Sequence, residues 1–193
     1  MAVLRRIVER LKASRRTRWR AAGGCLAVVA ALGGLLWFGR SEKKVARARG
    51  PLLGKPAPNL IDHVELWLNG DEVGLAGLKG HPVLLFFWHP RDEAGNSLAA
   101  LPHVRSLASA LASEGLVTIG LCVLDGPKEA EPVLREHGIT FRIGLDCDAD
   151  LHRAYRIEAT GTPYCYLVDG RGIIAWEGPP EDLTERAVRA CPR

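Results

Sequence analysis

VLLFFWHPRDEAGNSLAALP, residues Val83 to Pro102, is the stretch that decides the fold. It opens with an unbroken apolar run, Val83–Trp88, which suits a central strand covered on both faces. A polar loop follows, and then a helix that carries Val104, Leu107, Ala108 and Leu111 at three- and four-residue spacing. In an open α/β sheet, the loop leaving the carboxyl end of a central strand usually presents the reactive group. This loop contains no cysteine.

Upstream, His63–Leu68 alternates as a strand, and Asn69-Gly70 is a hairpin signal into a short second strand around Glu72–Leu75. Downstream, the helix ends near Gly115 and Leu116–Leu124 reads as another central strand. A helix is expected within Asp125–Gly138, with Pro132 suited to its first turn and Gly138 to its end. Phe141–Leu145 reads as a short strand, and Asp148–Tyr155 as a short helix with acids at its start. Tyr164–Asp169 and Gly172–Trp176 form two strands joined by the turn sequence Asp169-Gly170-Arg171-Gly172. Pro180 opens a last helix with Leu183, Ala187, Val188 and Cys191 on one face. The order makes an α/β domain, a mixed sheet with helices on both faces. There is no internal repeat and no nucleotide-binding glycine motif.

The net charge of +4 hides a division along the chain. Residues 1–50 hold 13 Lys/Arg against 2 Asp/Glu, a charge of +11, whereas residues 51–193 hold 13 against 20, a charge of −7. A nucleic-acid footprint belongs on the folded domain, which is acidic here, so the basic balance is no argument for that function class, and no nucleic-acid partner is expected. The basic residues flank Ala21–Gly39 instead, 19 residues without a charge, enough to cross a bilayer core as a helix. Eight Lys/Arg precede this run and five follow within Arg40–Gly50, which places the N-terminus in the cytoplasm. A cleaved signal peptide would have a shorter apolar region closely followed by a cleavage site; Ala46-Arg47-Ala48 comes after a charged cluster and well past the run. The expected organisation is a basic cytoplasmic segment (1–20), a transmembrane signal anchor (21–39), a linker (40–51) and a domain over 52–193 in the periplasm or outside the cell.

Several segments together resemble the thioredoxin fold and, within it, membrane-anchored TlpA/ResA-like and AhpC/TSA-like redoxins. They are Gly54-Lys55-Pro56-Ala57-Pro58, Leu78 to Trp88, Leu101-Pro102, Gly115-Leu116-Val117, Leu145-Asp146 before Tyr155, Gly161-Thr162-Pro163, and Tyr166 to Gly170. The resemblance implies thiol–disulfide oxidoreductase ancestry with a CxxC at the start of the first helix. Counting back from Pro102 puts the two cysteine positions at Ala94 and Ser97, in the tetrapeptide Ala94-Gly95-Asn96-Ser97. Thiol exchange needs a thiolate and a resolving thiol. Alanine supplies no nucleophile, and a serine hydroxyl is too basic without a partner base. The resemblance also implies that Pro163, after Thr162, is a cis-proline facing the active-site loop, whose backbone pairs with extended polypeptide.

Five cysteines remain, and no CxxC occurs. Cys25 lies in the apolar run; Cys122 and Cys191 suit buried positions; Cys147 stands between two aspartates that would raise its pKa. Cys165, two residues after Pro163, is the one thiol with a plausible approach to the ancestral site, although a strand residue packed in the core fits it as well. His89, Asp92, Glu93 and His103 could gather a metal but lack a recognised ligand spacing, and a solvated loop suits them better. Asp146, Asp148 and Asp150 suit a helix cap better than a calcium loop. Three functions follow. The first is a binding or assembly module for an extracytoplasmic polypeptide or membrane protein, acting through Trp88, Ala94, Gly95, Asn96, Ser97, Thr162 and Pro163. The alternative is a redoxin using Cys165, and a third is a metal carrier at His89. The first calls for no cofactor, metal or nucleic acid.

Overall fold

A computed structural model describes residues 51–92, 95–124 and 126–193. The basic segment, the expected anchor over 21–39, nearly all of the linker, and Glu93 and Ala94 lie outside the described residues. Among the described residues no helix is long and apolar enough to cross a membrane.

The strand expected from the opening stretch is β2 (Val83–Phe87), buried at every position. It lies inside a six-stranded mixed sheet with β1 (Leu66–Leu68), β3 (Val117–Cys122), β4 (Arg142–Leu145), β5 (Tyr164–Val168) and β6 (Ile174–Gly178), in the order β1-β4-β3-β2-β5-β6. β2, β3 and β4 run parallel to their neighbours in the centre, whereas β1, β5 and β6 pair antiparallel. Alternate residues of β2 feed two cores. Leu84 and Phe86, with Trp88, pack under α1 (Asn96–Leu111) and α2 (Pro127–Glu136) beside Leu101, Val104, Leu107 and Leu134. Val83, Leu85 and Phe87 pack on the other face against Leu60, Leu151, Tyr155 and Ile157, the last three from the region of α3 (Asp150–Ala154) and α4 (Ile157–Thr160). Burying each large side chain stabilises the fold by about 1.5–3 kcal/mol. A chain that fills both faces of one strand therefore fixes that strand at the centre.

Two expectations are corrected. Asn69-Gly70 turns the chain, but no hairpin forms: Glu72–Leu75 is not a strand, and Leu75–Leu78 is a 3-10 helix. The partner of β1 is β4, with Leu66 opposite Leu145 and Leu68 opposite Ile143. Asn69 adopts φ 60° and spends its amide on the carbonyls of Ile139 and Phe141, so the turn residue ties β1 to the start of β4. The expected first-turn role of Pro132 falls to Pro127, and Pro132 sits inside α2.

The hairpin of β5 and β6 forms as expected. The Asp169 carboxylate accepts from the backbone of Arg171 and Ile173, both at 2.9 Å, and Gly172 takes φ 87°. The segment from Gly54 to Ala57 lies along β6, with Gly54 donating to Ile174 O and Ala57 to Gly172 O, and so covers that sheet edge. The final helix is divided into a 3-10 turn (Pro180–Asp182) and α5 (Glu185–Arg189), whose N-cap Thr184 accepts from Ala187 N. Leu183, Val188 and Cys191 are buried as their spacing implied.

Candidate functional site

β2 ends at Phe87 and Trp88 follows it, fully buried, its backbone N–H donating to Leu121 O at 3.0 Å. The chain then crosses to α1 through a capping network. Gly95 occupies the N-cap position with φ 67°, a left-handed conformation that glycine adopts without a Cβ clash. The Asp92 carboxylate accepts from Ser97 N at 2.9 Å, satisfying an orphan donor of the first turn and placing negative charge at the positive end of α1. Ser97 itself is fully buried, and its Oγ accepts from His89 N at 3.2 Å. The hydroxyl thus joins the first turn of the helix to the end of the central strand.

The described loop residues are engaged within the chain. His89 turns Nδ1 to the backbone N–H of Arg91 at 3.0 Å, and Asp92 serves the helix. His103 Nε2 lies 3.0 Å from Leu183 O, and so contacts the segment before α5. Among the described residues no three His, Cys, Asp or Glu side chains are grouped to hold a metal.

The Thr162–Pro163 peptide is cis, and Pro163 lies at the mouth of a groove with Asn96, Ala99, Ala100 and His103 of α1, together with Pro179 and Glu181. The groove has a volume of about 440 Å³ and is open to solvent along the exposed face of α1. Proline 163 was legible from the sequence, whereas Pro179 and Glu181 were not. The signal that could have found the helical wall is the i, i+4 pair Ala99 and His103 on the face opposite the apolar stripe.

The thiols lie elsewhere. None of Cys122, Cys147, Cys165 and Cys191 forms a disulfide among the described residues. Cys165 pairs with Phe86 in the sheet interior and is fully buried, which is the packed-core alternative of its two sequence readings. Burial, with Glu181 nearby, pushes its thiol far above the usual range. Cys122 is shifted the same way by burial and by Cys147 and Asp146 around it, and Cys191 is pushed up to about 11. A thiolate nucleophile needs the opposite environment, partly exposed and electropositive.

Beside the strand ends is a pair that sequence reasoning missed as such. Asp146 is fully buried and accepts from Leu151 N, His152 N and, at 2.6 Å, His152 Nδ1. Burial alone would raise its pKa, but these hydrogen bonds and the imidazole outweigh burial and hold the carboxyl below its ordinary value. An ionised carboxylate only accepts, so Nδ1 of His152 carries a proton. The ring meets Phe87 edge-on at 5.0 Å. Asp146 is therefore the cap of α3 that the acid cluster implied; Asp148 is exposed, and Asp150 pairs with Arg153.

The AhpC/TSA family model matches residues 53–177, most of the chain. The chain belongs to the AhpC/TSA family. Among curated proteins none matches it. Solved structures similar to this AhpC/TSA member include the thioredoxin domain of a thiol-disulfide oxidoreductase from Bacteroides vulgatus, with TM-score 0.59 and 22% identity over 72% of this chain and 94% of that one. A thiol:disulfide interchange protein of the thioredoxin family from Chlorobium tepidum aligns with TM-score 0.58 and 21% identity over 76% of this chain and 99% of that one. At such identity the likeness is one of fold: the domain is a thioredoxin-like redoxin domain.

Proposed function

We propose that this AhpC/TSA-family domain is a membrane-tethered, extracytoplasmic binding or assembly module that has lost the dithiol chemistry of its relatives. The observation that carries the proposal is the first turn of α1. Where a redoxin needs an activated thiolate, this helix offers the buried hydroxyl of Ser97 and, against its backbone, the carboxylate of Asp92. Negative charge at that point disfavours a thiolate, and no other described cysteine is both exposed and electropositive in its surroundings. The groove beside Pro163 remains as a surface for an extended polypeptide. The tether is the uncharged run over 21–39, with the excess of Lys/Arg before it setting the orientation.

The experiment pairs two assays on the full chain in detergent. Insulin reduction in the presence of dithiothreitol is expected to match the protein-free rate. Extended peptides are expected to bind at the groove and to be lost on Ala99→Arg, a change on the exposed side of α1. Reductase activity abolished by Cys165→Ser would replace the binding module with the single-thiol redoxin.

A further inference from the structure

A second cavity lies where β3 and β4 begin. Its volume is about 400 Å³, and it is walled by Arg105 and Ser109 of α1, Thr118 of β3, Arg142 of β4, and the apolar Leu116 and Phe141. No acidic residue lines it, although residues 51–193 carry a net charge of −7. Among the described residues neither arginine forms an ion pair with a carboxylate. Two of the lining residues hold buried polar atoms that lack any hydrogen-bond partner, Thr118 Oγ1 and Arg142 Nε. Buried groups of this kind are normally satisfied, by protein, water or ligand. The remaining wall is already fixed. Arg105 donates through one Nη to His137 O at 2.8 Å, keeping its other donors, and Asn69 holds the strand entry through the carbonyls of Ile139 and Phe141.

The Arg105 guanidinium, a hydroxyl without a partner and no competing acid match an oxyanion, since arginine binds phosphate and carboxylate through paired N–H donors. The volume lies at the lower end of small-molecule pockets, roughly 300–1,000 Å³, and exceeds what a bare ion fills. Leu116 and Phe141 supply a surface for the rest of the ligand. We infer that this cavity is a binding site for a small organic acid, an anionic phosphate or carboxylate head on a compact apolar body. The site is independent of the groove at Pro163 and would stand if the binding-module proposal failed.

Calorimetric titration of the full chain in detergent tests the inference, with phenyl phosphate, benzoate and inorganic phosphate as probes. One saturable site below about 1 mM is expected for phenyl phosphate or benzoate, weakening as salt is added. Whichever of the two binds tighter assigns the head as phosphate or carboxylate. Arg105→Gln is expected to weaken binding about tenfold or more. Thr118→Val is expected to weaken it several-fold without lowering the unfolding temperature, a pattern that a purely structural hydroxyl would not give. Absence of saturable binding, or affinity unchanged in Arg105→Gln, would overturn the site. Equal affinity for phenyl phosphate and inorganic phosphate would overturn the role of the apolar wall.

Discussion

Asp146 shows how one side chain can hold two elements. Its carboxylate leaves the end of β4 and takes both N–H groups that open α3 as well as the His152 ring. Asp146→Asn keeps the shape but removes the charge from three hydrogen bonds, one of them to a buried imidazole. A loss of about 2–4 kcal/mol is expected, measured by urea unfolding. The pH dependence has a fixed sign. The folded-state pKa is held below the ordinary value of 3.8, so the unfolded chain takes up the proton first as pH falls. The contribution is fully present above that value and is lost as pH drops through the lower, folded-state pKa. Unfolding free energy should therefore fall more steeply with acidification below about pH 4 in the wild type than in Asp146→Asn. Equal slopes would remove Asp146 as the source. Gly120 poses a different single-residue constraint. A Cβ there would meet Ile143 Cδ1 at 2.5 Å, Trp88 Nε1 at 3.2 Å and a Phe141 ring atom at 3.3 Å. Gly120→Ala is expected to cost about 1–3 kcal/mol as overpacking. Ile143→Val removes the nearest atom, so the double variant should recover part of that loss, read as a positive coupling in a double-mutant cycle.

At the scale of elements, α2 contains a removable defect. Pro132 lies inside the helix and is exposed, so it can neither donate to the carbonyl four residues earlier nor repay the loss by packing. Pro132→Ala is expected to raise stability by about 1 kcal/mol, part of the intrinsic gain being offset by a freer unfolded chain, and to leave the rest of the fold unchanged. A fall in the urea midpoint would show that the proline shapes the helix. The same helix explains which elements were legible. β2, β3 and α1 declare themselves locally, through an apolar run or a 3.6-residue stripe, and these form as read. The start of α2 was obscured because Pro127 and Pro132 both satisfy the first-turn preference, and nothing local chooses between them. The partner of β1 was misread for a stronger reason. Asn69-Gly70 carries a genuine turn, but the partner of the strand before it is β4, far along the chain, and that choice is made by sheet assembly. Caps behave likewise: Asp92 and Asp146 were visible as acids near helix starts, whereas their acceptance from Ser97 N and His152 N appears only with the backbone in place. Cys165 was ambiguous for the same reason, since proximity to Pro163 in sequence does not say which face of β5 a side chain takes.

For the whole molecule, the decisive quantity is the division of charge between the two ends of the chain. Residues 1–50 carry +11 and residues 51–193 carry −7, with the uncharged run over 21–39 between the two densest basic groups. A basic leader favours the anionic cytoplasmic leaflet by about 1 kcal/mol for each Lys or Arg close to the surface. An acidic domain gains nothing there, so this charge division supports the proposed arrangement, with residues 1–20 inside and the domain outside the cytoplasm. Thiol labelling in intact cells tests this arrangement directly. Cys122, Cys165 and Cys191 are buried, which leaves Cys147 as the half-buried background among the described residues. Lys128→Cys, at an exposed position of α2, adds a reporter on a Cys147→Ser background. A membrane-impermeant maleimide should label this variant without lysis, and deletion of 1–50 should move the protein out of the membrane fraction and abolish that labelling. Labelling only after permeabilisation would place the domain in the cytoplasm. The −7 domain would then have to be held near the anionic leaflet against its own charge, and the tether would need a different account.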